Sequence, residues 1–211
     1  MRNFERFDRH LNALLHDIYA QPPDAGHTEW AKHAFETLCG IPKGTKTVLD
    51  VGCGQGFMAP LFAAEGIEWT GVTIGEDYEA CKAKGLNVIN SDMTFLPFED
   101  RTFDMVFARH VLEHSPFPVV TLMEWRRVCG GYLVLIAPCP DYWKIRGRNH
   151  YSVLWEDQLE WLLLRSGWRP IHTYNFDTSH DLFKKHVLYQ GKVDQVVEYR
   201  MLCESILPEV E

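Results

Sequence analysis

The segment His110-Val111-Leu112-Glu113-His114 brings two imidazoles and a carboxylate close together in the sequence. If the segment formed an α-helix, His110 and His114 would share one face and could chelate zinc, provided that a third ligand lay nearby. A zinc hydrolase that uses His110, Glu113 and His114 is therefore one alternative for the function. However, the segment follows the end of a predicted strand. This context disfavours zinc, and we expect no metal site.

A second stretch that could do chemistry, residues 141–151, mixes basic and aromatic side chains. Lys144, Arg146 and Arg148 are the densest local positive charge in an acidic chain, and they favour recognition of a phosphate or carboxylate. His150 is a candidate general base, because an unperturbed imidazole titrates near neutral pH. Three aromatic residues could wall an apolar part of the same ligand: Tyr142, Trp143 and Tyr151. A solvated basic loop with a packed histidine explains the pattern equally well.

Three glycines at alternate positions, Gly52, Gly54 and Gly56, follow a continuous apolar run at residues 47–51. The run predicts a buried strand, and residues 57–64 predict a helix. A glycine turn between a strand and a helix lets a ligand approach the backbone, and the helix N-terminus favours an anionic group. Phe57 stands where a dinucleotide-binding G-x-G-x-x-G loop needs glycine, and no Gly-Lys-Ser/Thr follows. Both of these phosphate-binding loops are therefore disfavoured.

Alternating strands and helices must position these groups. Apolar runs predict strands at residues 47–51, 69–74, 87–90, 103–108 and 132–137, and helices at residues 76–84, 118–128 and 155–166. This alternation predicts a parallel sheet that helices cover on both faces. Residues 169–176 and 185–189 are predicted to form an antiparallel pair, and residues 193–207 a closing helix. Two helices are predicted within residues 1–40, ahead of the sheet.

Length and composition limit the class of protein. A chain of 211 residues fits one domain with its own core, so we predict a single domain over residues 1–211. The net charge of -8 gives no general attraction to nucleic acid or to anionic membranes. Transmembrane-length apolar runs and the apolar region of a signal peptide are absent, which predicts a cytoplasmic protein without membrane insertion.

Four blocks, taken together, resemble the type 11 branch of the class I S-adenosylmethionine (SAM) dependent methyltransferases, which includes the ubiquinone and menaquinone C-methyltransferases. In chain order the blocks are VLDVGCGQG (48–56), GVTIGEDY (71–78), SDMTFLPFEDRTFDMVFARHVLEH (91–114) and GGYLVLIAP (130–138). The resemblance spans about residues 45–190. It implies an α/β fold with a Rossmann-like, seven-stranded, mostly parallel sheet in the order 3-2-1-4-5-7-6. It also implies that the helices within residues 1–40 form a lid over the cofactor.

The resemblance implies which residues hold SAM. The glycine turn would meet the methionine carboxylate and ammonium, and Asp50 would fix the turn or face the ammonium. Asp92 would accept a hydrogen bond from the adenine amino group, with the Met93 amide on a ring nitrogen. The complete cofactor-binding set is Asp50, Gly52, Cys53, Gly54, Gly56, Thr73, Ile74, Asp92, Met93, Arg109 and His110.

Thr73 departs from the usual pattern of the family. Most members carry a carboxylate late in the second strand, because a carboxylate can accept hydrogen bonds from both ribose hydroxyls. Here that position is Thr73. We expect a neighbouring side chain, Glu76, Asp77 or Tyr78, to hold the ribose instead.

The sequence thus predicts an enzyme that transfers a methyl group from SAM to a small-molecule acceptor, which the basic loop suggests is anionic. His110 and His150 are the candidate general bases. A protein of this fold that binds SAM or a nucleotide without catalysis is the second alternative, since Thr73 departs from the family pattern.

Overall fold

The computed structural model describes residues 4–15, 25–37, 41–143, 149–186 and 194–206. Its strands are β1 (Thr47–Val51), β2 (Glu68–Thr73), β3 (Val88–Asn90), β4 (Phe103–Arg109), β5 (Cys129–Pro138), β6 (Trp168–Asp177) and β7 (Val196–Ser205). Its α-helices are α1 (Phe4–Leu15), α2 (Ala25–Thr37), α3 (Ala59–Ala64), α4 (Gly75–Ala83), α5 (Pro118–Val128), α6 (Pro140–Trp143), α7 (Glu156–Arg165) and α8 (Asp181–His186). A 3-10 turn spans Leu112–His114.

All seven strands form one sheet in the order β3-β2-β1-β4-β5-β7-β6. β1 to β5 run parallel to one another, and β7 runs antiparallel to both β5 and β6. The predicted Rossmann-like sheet and its strand order are confirmed. The carboxyl ends of the five parallel strands therefore meet at one edge, where ligands bind in open α/β sheets.

The sheet has a hydrophobic layer on each face. From β1, Leu49 and Val51 join the layer that contains Trp125 of α5, whereas Val48 joins the opposite layer with Phe62 of α3. Each of these side chains is buried. A strand buried on both faces has no polar side to display, which explains why its sequence is continuously apolar.

The C-terminal prediction is wrong in two places. Residues 193–207 were predicted as a closing helix, but the structure has strand β7 at Val196–Ser205. Residues 185–189 were predicted as a strand, but Lys185 and His186 end helix α8, and residues 187–190 lie outside the described ranges.

Burial on both faces explains the error in β7. The strand lies between β5 and β6 and is buried over most of its length. A short, two-sided apolar run cannot be told from a buried helix by periodicity. In addition, the charged residues Glu198 and Arg200 interrupt the apolar run, although both side chains are fully buried.

Helix α2 packs on the antiparallel end of the sheet. The Trp30 ring stacks on Phe183 of α8 at 5.4 Å between centroids and meets Phe176 of β6 edge-on at 5.6 Å.

Among the described residues, no helix is both long and apolar enough to cross a membrane.

Candidate functional site

A cavity of about 390 Å³ lies at the carboxyl ends of the parallel strands, where the strand order reverses between β1 and β4. Its volume falls within the range of ordinary ligand pockets. Every residue of the predicted cofactor-binding set except Gly56 lines it. Both predicted bases, His110 and His150, line it as well.

The glycine turn forms one wall of the cavity. Gly52 and Gly54 have φ angles of 67° and 52°, in the left-handed region that favours glycine. The amides of Gly52 and Cys53 donate to the Val72 carbonyl at 2.8 and 3.1 Å, which ties the turn to the end of β2. Gly56 does not line the cavity. A Cβ there would lie 2.4 Å from Leu86 Cδ1, so this glycine permits close packing behind the turn.

Asp50 lies one residue before the end of β1 and is almost completely buried. Its Oδ2 accepts a hydrogen bond from Trp69 Nε1 at 2.9 Å. Burial raises the pKa of the Asp50 carboxyl to about 7, and the bond from Trp69 offsets only part of that shift. A cationic ligand group in the cavity would stabilise the ionised form of the Asp50 carboxyl and lower its pKa.

The ends of β2 and β3 form a second wall. Thr73 and Ile74 line the cavity, and so does Asp77, which lies in the first turn of α4 and is buried. Of the three candidates for holding a ribose, only Asp77 reaches the cavity; Glu76 is exposed, and Tyr78 is not part of the lining.

Asp92 and Met93 line the cavity beyond the end of β3. The Thr94 amide donates to Asp92 Oδ1, which gives this carboxylate a role in the turn as well as a place at the cavity. The Met93 carbonyl accepts from Trp125 Nε1 at 3.0 Å and anchors the turn to α5.

His110 follows β4 with a φ of 50° and lies between two buried carboxylates. Its Nε2 lies 2.7 Å from Glu198 Oε2 and its Nδ1 lies 3.4 Å from Glu113 Oε1. Burial by itself lowers the pKa of His110, but the interactions with Glu113 and Glu198 outweigh burial and the net shift is upward. This arrangement disfavours the predicted general-base role of His110, because both of its ring nitrogens already face buried carboxylates.

Glu198 and Arg200 were missed as site residues because the sequence reading placed them in a helix. Arg200 Nε donates to Glu198 Oε1 at 2.8 Å, and its guanidinium lies 4.3 Å from the Phe176 ring centroid. Arg200 Nη1 also lies 2.9 Å from His33 Nδ1 and donates to Thr37 Oγ1 at 3.0 Å, both on α2. The only available signal was two opposite charges at alternate positions within an apolar run.

The segment 110–114 does not form the helix that the zinc-hydrolase alternative requires. Leu112–His114 is a single 3-10 turn, and His110 lies outside it and faces Glu198. Glu113 and His114 instead approach His150, and ligand atoms of these three residues all lie within 4.8 Å of one another. The structure therefore does not support the ligand set of the zinc-hydrolase alternative, and it brings His150 close to Glu113 and His114 instead.

His150 lies in the cavity wall beside His114, with 4.9 Å between the ring centroids. Burial lowers the pKa of His150, so its imidazole is neutral near pH 7. A neutral imidazole in the cavity wall can accept a proton or bind a metal ion.

The basic stretch is only partly visible. Lys144, Arg146 and Arg148 lie outside the described residues. Of the neighbouring aromatic residues, Trp143 lines the cavity, Tyr142 is buried behind it, and Tyr151 is 40% exposed. No described residue of α1 or α2, the predicted lid, lines the cavity; the His27 side chain is not described.

Comparison with known proteins agrees with this arrangement. Residues 49–135 match the family described as "Methyltransferase domain", a span that runs from the end of β1 into β5. An uncharacterized methyltransferase from Mycobacterium sp. (strain JLS) is 39% identical over 139 residues, which are 63% of this chain and 52% of the relative. A demethylmenaquinone methyltransferase from Staphylococcus aureus (strain JH9) is 33% identical over 121 residues, 52% of this chain and 49% of that protein. The chain thus spans about half the length of the curated relatives that it matches.

Solved structures share the fold. A SAM-dependent methyltransferase from Archaeoglobus fulgidus superposes with a TM-score of 0.68 at 23% identity, over 84% of this chain and 94% of that one. The sheet order, the glycine turn at the strand edge and the family match over residues 49–135 agree with one another. Residues 49–135 therefore match the methyltransferase domain family, and the sheet has the fold of solved SAM-dependent methyltransferases.

Proposed function

We propose that this protein transfers the methyl group of SAM to a small-molecule acceptor. The observation that carries the proposal is the cavity at the ends of β1 to β4, which brings the glycine turn, Asp92 and Arg109 to one place within the matched domain. Its acidic lining suits a ligand that carries a sulfonium and an ammonium group.

The charge of the cavity lining suits SAM. Asp50 is buried with a raised pKa, which is the state of a carboxyl group that lacks a cationic partner. It would lie near the ammonium of the methionine part, Asp77 near the ribose and Asp92 near the adenine. When bound, SAM supplies an electrophilic methyl carbon: a nucleophilic O, N or C bonds to it while the C–S bond breaks, and S-adenosylhomocysteine (SAH) leaves.

The chain's own contribution is positioning and removal of one proton. Holding the acceptor in line with the breaking bond replaces a bimolecular encounter. His150 is the group suited to accept the acceptor's proton, because its ring is neutral and lines the cavity. His110 lines the cavity and joins the 3-10 turn to β7 through its contacts with Glu113 and Glu198.

Calorimetry with SAM and SAH tests the proposal. Gly54→Val forces a β-branched residue to a φ of 52°, and Asp92→Ala removes a cavity carboxylate. Each should weaken both ligands by about tenfold or more, the loss expected for a hydrogen bond to a charged group. Gly66→Val is the matched control, since Gly66 has a φ of 73° with open space around it and does not line the cavity. Folded wild-type protein that binds neither ligand would falsify the proposal.

The acceptor's charge needs a separate experiment. The positive charge of Lys144, Arg146 and Arg148 supports a phosphate- or carboxylate-bearing acceptor. SAH production is measured across paired anionic and neutral acceptors. A double variant, Arg146→Ala with Arg148→Ala, should raise KM for the anionic acceptor only. An unchanged KM removes the anionic acceptor from the proposal, and SAM binding without turnover on any acceptor supports a binding protein instead.

A further inference from the structure

Glu113, His114 and His150 converge in the cavity wall although they come from two separate segments. Glu113 and His114 belong to the 3-10 turn after β4, and His150 belongs to the loop before α7. All three line the cavity, and one potential ligand atom from each lies within 4.8 Å of the others. Zinc ligands lie about 2.0–2.2 Å from the ion, so the three groups would move closer together when they bind it.

Two of the three groups have a buried atom left unused. Glu113 is 2% exposed, and its Oε2 has no hydrogen-bond partner among the described residues, whereas its Oε1 faces His110. Within the same described part of the chain, His150 Nδ1 is buried without a hydrogen-bond partner. Buried polar atoms are rarely left unsatisfied, so a ligand is expected at both.

The third group has the hydrogen-bonding pattern of a metal ligand. His114 Nδ1 lies 3.2 Å from the Asn149 carbonyl oxygen, which can only accept, so Nδ1 carries the hydrogen. In the neutral tautomer with the hydrogen on Nδ1, Nε2 is the nitrogen that can bind a metal ion. Metal-binding histidines commonly donate their other ring N–H to a carbonyl in this way, which fixes the tautomer and the ring orientation.

The backbone holds the two segments together before any ion binds. The amides of Tyr151 and Ser152 donate to the Glu113 carbonyl at 2.7 and 3.0 Å, and Ser152 Oγ donates to the Ser115 carbonyl at 2.6 Å. His150 is therefore kept next to the 3-10 turn. A pre-organised set of ligands loses less entropy when it binds an ion.

We propose that Glu113, His114 and His150 form a divalent-cation site in the cavity wall, with zinc as the best-fitting ion. Two imidazoles and one carboxylate are a known zinc ligand set that leaves a fourth position open. If the protein transfers a methyl group as proposed, the oxygen of a hydroxylated acceptor occupies that fourth position. The bound ion lowers the pKa of such an oxygen, and its proton passes to water. His150 then serves as a ligand and not as the general base.

Metal binding by the untagged full chain tests the site directly. Protein stripped with EDTA is titrated with zinc chloride by calorimetry, and with cobalt chloride by visible absorption, which reports the coordination geometry. We expect one zinc per chain and a cobalt spectrum of a low-coordinate site. His150→Ala and Glu113→Gln should each weaken zinc by at least about tenfold, the minimum typical of changes near a metal. His172→Ala is the matched control, because it removes a histidine of β6 that does not line the cavity.

SAH binding, measured on the same samples, separates this inference from the proposed function. Retained SAH affinity in His150→Ala shows that the variant is folded, and zinc loss then reports the site itself. Wild-type protein that binds SAH but no stoichiometric zinc or cobalt overturns the metal site alone. Equal zinc affinity in His150→Ala and His172→Ala also overturns it. Zinc binding without SAH binding would instead support the metal site and contradict the methyltransferase proposal.

Discussion

At the scale of single residues, the cavity concentrates carboxylates that the protein only partly neutralises. Asp50 relies on one neutral donor, Trp69, and its pKa rises to about 7. Burial raises the pKa of Glu113 and of Glu198, but their interactions with His110 outweigh burial and the net shift of each is downward. Asp50 is therefore the carboxyl group whose ionisation costs the folded protein most among those described here.

Asp50 should make stability fall with rising pH. Its folded-state pKa is raised, so its contribution to stability is fully present below about 4 and is lost as pH rises through about 7. From pH 5 to pH 8, the free energy of unfolding of wild type should fall by on the order of 2 kcal/mol more than that of Asp50→Asn. Urea denaturation at several pH values measures this loss. Asp8→Asn, an exposed site on α1, is the charge-matched control and should follow wild type.

At the scale of elements, β7 joins the cavity to the N-terminal helices. Glu198 holds His110 on one side and Arg200 on the other, and Arg200 reaches His33 and Thr37 of α2. A buried ion pair that loses one partner leaves an uncompensated charge, which destabilises more than the intact pair stabilises. β7 thus supports both the docking of α2 and the orientation of the residues after β4.

Arg200→Met should destabilise the protein by about 3–5 kcal/mol, because the fully buried Glu198 carboxylate keeps only His110 of the two basic partners that it pairs with in wild type. Hydrogen exchange in α2 should also become faster, because the variant lacks the contacts of Arg200 with His33 and Thr37. Arg169→Met is the matched control on the neighbouring strand β6. The Arg169 pair with Glu204 is exposed and should contribute about 1 kcal/mol or less. Similar losses in the two variants would contradict the role given to β7.

At the scale of the whole molecule, the sheet sets where every ligand-facing group can lie. Five parallel strands end at one edge, and the reversal of strand order between β1 and β4 opens the cavity there. The antiparallel strands β7 and β6 extend the sheet beyond β5 and bring Glu198 to the same region. Ligand binding should therefore stabilise the carboxyl ends of the parallel strands and leave their amino ends unchanged.

SAH at 100 times its Kd should stabilise the folded chain by about 2.7 kcal/mol and raise Tm by roughly 5–10 °C. Hydrogen exchange should slow in residues 51–58, 73–77 and 91–94, which include much of the cavity wall. Residues 101–104, at the opposite end of β4, should exchange as before. Protection spread evenly over the sheet would argue against binding in this cavity. At the same SAH concentration, Gly54→Val should show a smaller rise in Tm and less protection than wild type.

The sequence by itself determined the parallel half of the sheet and most of the cavity lining. Strand, glycine turn and helix are consecutive at residues 47–64, so their pattern predicts both the elements and the wall that they form. The tertiary structure alone decided the partners of His110 and His150. His110 and Glu198 are 88 residues apart in the chain, and β7 could not be distinguished from a helix by periodicity. Local patterns reflect the nearest neighbours in the chain, whereas a buried ion pair or a three-residue ligand set exists only once distant segments pack together.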